Sequence, residues 1–366
     1  MNKWLGGWTK DNYPSTCKDL CTCFIARGMN LAQECGYEAL ITSDTCMYIS
    51  SFEKMRKEII ERASIIAFTD TRGTNAHPDV FDANAGWVLW NRAAAGIKGS
   101  YFKLNHPIAE KEARLLEALA NPDCGWFFRT SARRFGSIPG NVIAYWASDG
   151  VCKSFLRGIP IAQIGQPRQG LATGRNDLFV RVWWEVSRSH EWFDCPSVEA
   201  SKGSGIRWFP YNKGGEYRKW YGNNEWIINW ENNGSAIKGF PGSVIRNPQC
   251  YFKPCISWSK ISSGSIAFRY KPAGHVFDVA GTSIFSSDNS LLYLLGACNS
   301  TVILEIASML SPTLNFEVGQ IATYPIIVSQ EKHSVVCKIA ERLIEESRCE
   351  WDCFETSWDF HRHPLL

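Results

Sequence analysis

The sequence contains neither a Gly-x-Gly-x-x-Gly fingerprint nor a Gly-x-x-x-x-Gly-Lys-Ser/Thr phosphate loop. A dinucleotide-binding opening and a P-loop nucleotidase are therefore not encoded here. GSG at 203–205 and KGG at 213–215 are too short to count and read as turns. There is no His-Glu-x-x-His, no Gly-x-Ser-x-Gly elbow and no PD…ExK nuclease signature, which removes zinc peptidases, α/β-hydrolases and a fused nuclease. The seven histidines form no ligand pattern, and His361 and His363 fall in a tail. Fourteen cysteines include no pair of Cys-x-x-Cys knuckles: Cys17, Cys21 and Cys23 share a predicted helix, and Cys349 and Cys353 lie near a helix end. The opening MNKWLGGWTKDNYP lacks the apolar core of a signal peptide, so reduced thiols in a cytoplasmic protein are the expectation.

Long apolar runs are missing too. Residues 291–310, LLYLLGACNSTVILEIASML, come nearest, but Asn299, Ser300, Thr301 and Glu305 interrupt them. A charge at mid-membrane costs several kcal/mol, so two short buried helices joined near Asn299 are predicted, with no membrane partner. No internal repeat or low-complexity linker appears.

What is present is apolar and aromatic. The 366 residues suggest two or three domains, and 45% hydrophobic with 20% charged residues suits packed cores. A net charge of +3 permits an anionic partner without demanding one. Sixteen tryptophans depart further from ordinary composition than the charge does.

The first hundred residues alternate helix and strand signals. Leu20, Phe24, Gly28, Leu31 and Cys35 share one helical face, with Gly36 as C-cap. YEALIT (37–42) reads as a short buried strand. Ser50 or Ser51 is placed to cap a helix whose stripe is Phe52, Met55, Ile59 and Ile60. SIIAFTD, AGWVLW and SYFKL follow as strands, an order that favours a sheet flanked by helices. IAEKEARLLEALA (108–120) is a helix. From about residue 160, short strands, turns and dense aromatics indicate an α+β or β-rich region, and EKHSVVCKIAERLIEESR closes the chain with an amphipathic helix.

Two segments carry candidate contact residues. RQGLATGRNDLFVRVWWEV (168–186) sets Arg168, Gln169, Thr173, Arg175 and Asn176 on a turn leading to a strand. Arg and Asn or Gln match guanine and adenine edges; a polar loop in which Asp177 caps the next element is the equal alternative. RWFPYNKGGEYRKWYGNNEWIINW (207–230) interleaves rings with Lys213, Arg218, Lys219, Asn223 and Asn224. Its rings either fill a core or stack on bases while the cations hold phosphates. A carbohydrate-binding module is a further reading of such rings.

Those two segments, with ISWSKISSGSIAFRY, FDVAGTSIF, LSPTLNFEVGQIATYPI and CEWDCFETSWDF, resemble the PglX family, the adenine-specific DNA methyltransferases of BREX phage-defence systems. KDLCTCFIARGMNLAQECGYEALIT is similar to the part of such enzymes just after the catalytic loop. The resemblance implies S-adenosylmethionine-dependent methylation of adenine N6 in double-stranded DNA, with the base flipped out. It also implies an α/β plus α+β fold: the C-terminal half of a Rossmann-like methyltransferase sheet, a mixed target-recognition domain and a C-terminal helix. The corresponding boundaries are a partial methyltransferase domain at 1–105, a helical connector at 106–158, the target-recognition domain at 159–330, and a helix and tail at 331–366.

The family's Asn-Pro-Pro-aromatic loop and glycine-rich cofactor loop are not in this sequence; Asn121-Pro122 and Asn247-Pro248 lack the second proline and the ring. No catalytic residue is assigned, and the chain reads as a fragment that retains DNA recognition and is inactive alone. Asp19 falls on the segment that lines the cofactor side in the family. Lys213, Arg218, Lys219 and Lys260 are expected to hold phosphates, with Arg168, Gln169, Arg175 and Asn176 near base edges. A specificity subunit working with a separate catalytic chain is the alternative.

Overall fold

Apolar alternation and turn residues divide this chain into elements that a computed structural model describes for all residues except 73–83, 95, 263, 312–313 and 364. They form two units, Met1–Leu156 and Arg157–Leu366.

In the first unit, helices α1 (Lys3–Asn12), α2 (Leu20–Leu31) and α3 (Glu53–Arg62) accompany strands β1 (Tyr37–Thr42), β2 (Ser64–Asp70), β3 (Ala85–Trp90) and β4 (Gly99–Lys103). Helix α4 (Lys111–Ala120) and strand β5 (Phe127–Thr130) complete the set discussed here. The sheet order is β1-β3-β2-β4-β5; only β2 and β4 run parallel, and the other pairings are antiparallel. Residues 106–158, expected as a helical connector, thus include a strand of this sheet as well as α4.

The face of α2 is the reverse of the expected one. Ile25 and Met29 are buried, whereas Phe24 is 63% exposed, and Leu20, Leu31 and Cys35 also lie outward. The helix ends at Leu31 rather than near Gly36. Both faces carry apolar residues, so periodicity alone could not choose between them. Phe52, Met55 and Ile59 of the next stripe are buried as expected, but Ser50 and Ser51 form a 3-10 turn with no side-chain cap. Arg56 on α3 is buried, donating to the carbonyls of Gly140, Cys46 and Ile49, so it acts as a backbone staple.

Ile25, Met29, Met55, Phe68, Trp87 and Tyr101 share the main core of this unit. Across the sheet, Phe102 packs with Ala118 of α4. At the other end that face is open: β1 is an edge strand whose Tyr37 and Ile41 are 67% and 70% exposed. The expectation of a buried strand holds only for its alternate residues Glu38 and Thr42.

The second unit is built on two four-stranded sheets. Its strands are β6 (Gln166–Arg168), β7 (Val180–Val182), β8 (Trp208–Asn212), β9 (Trp226–Asn229), β10 (Cys255–Trp258), β11 (Phe268–Lys271), β12 (Val276–Phe277) and β13 (Ser283–Phe285). The orders are β12-β8-β9-β7 and β11-β10-β13-β6. Asn212 ties them together, its buried amide donating to Ser257 Oγ, Gly281 O and Ser283 Oγ. Phe209, Tyr211, Ile228, Trp230, Tyr251 and Phe252 fill the core here, so most rings of 207–230 are interior.

Helices α5 (Asp288–Cys298) and α6 (Thr301–Leu310) are the expected short pair, largely buried through Leu294, Leu295, Cys298, Ile306 and Ala307. No single described helix is long and apolar enough to cross a membrane. Asn299 at the joint exchanges hydrogen bonds with the backbone of Phe268, at 3.1 and 2.9 Å. Helix α7 (Gln330–Trp351) lies against α5, with His333 stacked on Tyr293 at 4.9 Å. The chain is mixed α/β and α+β, as its pattern implied.

Candidate nucleic-acid interface

Strand β6 places Arg168 beside Ser283 of β13. Directly after it, Gly170 passes so close to β12 that a Cβ would lie 1.9 Å from the Phe277 carbonyl oxygen. Only glycine fits there. The chain then runs along residues 242–250: Ala172 and Val244 exchange backbone hydrogen bonds at 2.9 and 2.8 Å, and Asn247 Nδ2 donates to Gln169 O at 2.9 Å. Asn247 adopts φ 49°, which asparagine tolerates better than most residues. Asn247-Pro248 therefore has a structural task.

This pairing joins the backbone that follows Arg168 to the segment that carries Arg246. Lys253 follows, and it and Arg168 both act on Cys250, although burial still pushes that thiol up. Arg168 Nε and Arg246 Nη1 are buried with no acceptor among the described residues. Arg168 Nη2 reaches Gln166 Oε1 at 3.3 Å. An unmade bond at a buried guanidinium costs on the order of 1–3 kcal/mol or more, so an incoming phosphate or base-edge oxygen would be favoured. Arg246 and Lys253 are not evident from sequence, because only the pairing of 172 with 244 ties the segment of Arg246 to that of Arg168, and only their common effect on Cys250 relates Lys253 to it.

The turn itself is tied internally. The Thr173 hydroxyl donates to Asn176 Oδ1 at 2.6 Å, and Thr173 is buried. Arg175 is exposed and forms a double hydrogen bond with Asp177, holding that carboxyl below its usual range. Asp177 is thus an ion-pair partner within the turn Asn176–Phe179 rather than its cap.

Residues 213–224 also differ from the exposed contact turn expected. Two cations of β11 lie beneath them: Arg269 Nη1 donates to the carbonyls of Glu216 and Arg218 at 3.3 Å each. Lys271 donates to Gly222 O, Asn223 O and Asn224 Oδ1. Both are fully buried, and burial lowers the pKa of each. Asn223, whose amide donates to Glu216 O at 2.9 Å, and Asn224 are buried as well. Their amides belong to the loop's internal network.

The expected phosphate-holding cations are engaged within the unit. Arg218 pairs with Glu350 and lies 5.0 Å over Trp351. Lys219 donates to Asn299 O at 3.1 Å, Lys260 pairs with Glu317 at 3.1 Å, and Lys213 sits 4.5 Å over Trp226. Each is half-buried. These contacts explain why such residues occur here without a ligand.

In the first unit, Asp19 is the N-cap of α2, its carboxylate accepting from Cys21 N at 2.9 Å. One cavity of about 30 Å³ lies between α2 and α3, and a shallower one of about 280 Å³ covers Ala39, Phe68, Thr69, Gly86 and Trp87. The first is too small for S-adenosylmethionine, and the second has no charged lining group for its carboxylate or ammonium. Neither of these two cavities fits this cofactor.

Comparison with known proteins finds that residues 2–77 match the model of the Eco57I restriction-modification methylase. More particularly, the resemblance to PglX holds along the whole chain. It is 34% identical to the adenine-specific methyltransferase PglX of Lacticaseibacillus casei (strain Zhang) and 32% identical to the adenine-specific methyltransferase BrxX of Escherichia coli O9:H4 (strain HS). The match takes in 100% of this chain but 31% and 29% of those relatives, so the chain spans under a third of their length. The DrdV–DNA complex shares the fold over 95% of this chain and 42% of that one, with a TM-score of 0.51 at 10% identity.

Proposed function

We propose that this chain is the DNA-reading part of an adenine-specific DNA methyltransferase of a BREX-type phage-defence system, acting on double-stranded DNA in the cytoplasm. The observation that carries the reading is the two buried nitrogens without an acceptor among the described residues, Arg168 Nε and Arg246 Nη1, on segments joined by the hydrogen bond from Asn247 to Gln169. Guanidinium N–H groups are suited to phosphate oxygens and to guanine O6 and N7. Arg175 and Asn176, at the exposed end of the same turn, extend this surface.

Methyl transfer to adenine N6 requires S-adenosylmethionine and an extruded base. The Asn-Pro-Pro-aromatic and glycine-rich loops come, in this reading, from the part of such methyltransferases that the chain does not span. The first unit is then the C-terminal half of a Rossmann-like methyltransferase sheet. Its open β1 edge, with Tyr37 and Ile41 exposed, favours completion by further strands, including those of a separate catalytic chain. Burial of Trp208, Phe209, Tyr211, Tyr221 and Trp230 favours DNA reading over a carbohydrate-binding reading of these rings.

Fluorescence anisotropy with duplex DNA tests the proposal. Arg168→Ala combined with Arg246→Ala is expected to weaken binding about tenfold or more. Equal binding by the double variant would remove this surface from DNA recognition.

A further inference from the structure

A cavity of about 530 Å³ lies within the second unit, away from the features used for DNA reading. Glu191, Phe193, Tyr221, Arg348 and Trp358 are among its lining residues. This volume accommodates a small organic ligand or an inserted side chain.

The Glu191 side chain is 1% exposed, and neither carboxylate oxygen has a hydrogen-bond donor among the described residues. Arg188 Nη1 stands 3.6 Å away, close enough for charge attraction but not hydrogen-bonded. The buried ammonium of Lys271, by contrast, is met from three sides. Burial pushes the Glu191 carboxyl up to about 7, as befits an acid lacking a donor. A cation entering the cavity would restore its ionised form.

The other walls select the same chemistry. Phe193 and Trp358 stack at 4.3 Å, and Tyr221 and Tyr270 add rings. Arg188 lies 4.0 Å over Phe193, whose other face is stacked on Trp358, so an entering cation would meet Glu191 and the remaining ring surface of Tyr221, Tyr270 and Trp358. Glu191, Asp194, Glu345 and Asp359 outnumber Arg188 and Arg348, and Arg348 is shared between Asp352 and Asp359 at 3.5 and 3.6 Å. Such a lining repels phosphate.

We infer that this cavity binds an organic cation, an alkylammonium or alkylguanidinium group, held by the Glu191 carboxylate between aromatic faces. The group belongs either to a free polyamine or to a lysine or arginine side chain of a partner polypeptide.

Calorimetry on the full chain tests this with spermidine in one arm and short peptides carrying one lysine or arginine in the other. A diol of matching length serves as the uncharged control. Binding of spermidine alone identifies a polyamine site, and preferential peptide binding identifies a partner side chain. Either supports the inference if Glu191→Gln weakens it about tenfold or more without lowering the melting temperature. Trp358→Leu provides a second variant, expected to weaken the same ligand by several-fold. No binding in either arm, equal binding of the diol, or unchanged affinity in both variants would overturn it. Duplex DNA affinity is expected to be unchanged by Glu191→Gln, so this test is independent of the DNA-reading proposal.

Discussion

Lys271 Nζ donates to the carbonyl of Asn223 at 2.7 Å, and through it the loop after β8 is fastened to the strand beneath. Gly222 O accepts from the same ammonium at 2.8 Å, with the Asn224 side chain as a third acceptor. An ammonium has three donors, and all are used. Lys271→Met is expected to strand these acceptors and destabilise the second unit by about 2–4 kcal/mol. Urea unfolding measures the loss, and hydrogen exchange should show faster exchange in residues 213–224. An unchanged exchange profile would refute the fastening role.

Gly170 makes a different prediction, because the obstacle is backbone. Gly170→Ala puts a methyl against the Phe277 carbonyl oxygen, so the 168–177 turn must move. A cost of about 1–3 kcal/mol is expected, with a drop in DNA affinity exceeding that of an exposed alanine substitution such as Asn176→Ala. Thermal melting and anisotropy check the two effects separately.

Two carboxylates set the acid side of stability. Burial raises both Glu38 and Glu191 to about 7, and neither has a hydrogen-bond donor for its oxygens among the described residues. In the unfolded chain each acid ionises near 4.3, so the folded state holds more protons between roughly 4.3 and 7. The stabilising contribution is complete below that window and is lost as pH rises through it. Glu38→Gln should therefore raise stability at pH 8 by on the order of 1–3 kcal/mol and have little effect at pH 4. Melting temperatures across pH decide this; a variant less stable at pH 8 would contradict the sign.

Methyl transfer supplies a functional check. The isolated chain is expected to transfer no radiolabelled methyl group from S-adenosylmethionine to DNA, since Asp19 is engaged as a helix cap and the two first-unit cavities described above do not fit the cofactor. Labelled DNA from a pure preparation would show that the necessary groups are present after all.

Much of this architecture was legible in the residues. Strand Tyr37–Thr42 and the broken helix pair around Asn299 emerged from alternation and from polar interruptions. The face of α2 did not, because Leu20, Phe24 and Leu31 are as apolar as the buried Ile25 and Met29. For the candidate site, Arg168 and Gln169 were legible from residue chemistry. Arg246 and Lys253 depended on long-range pairing, and no local pattern announces that. Arg269 and Lys271 sit in a strand-like run where cations suggest solvent, yet both are buried under the loop they hold. The cations at 213, 218, 219 and 260 were visible, but their partners Trp226, Glu350, Asn299 and Glu317 lie far enough along the chain that only folding reveals them.

The salt dependence of duplex DNA binding tests the central claim most directly. The wild-type chain should lose affinity steeply as salt rises, with log affinity linear in log salt, and Arg168→Ala with Arg246→Ala should make that slope shallower by about one to two phosphate contacts. Binding that is absent, or indifferent to salt, would contradict a DNA-reading role for this chain.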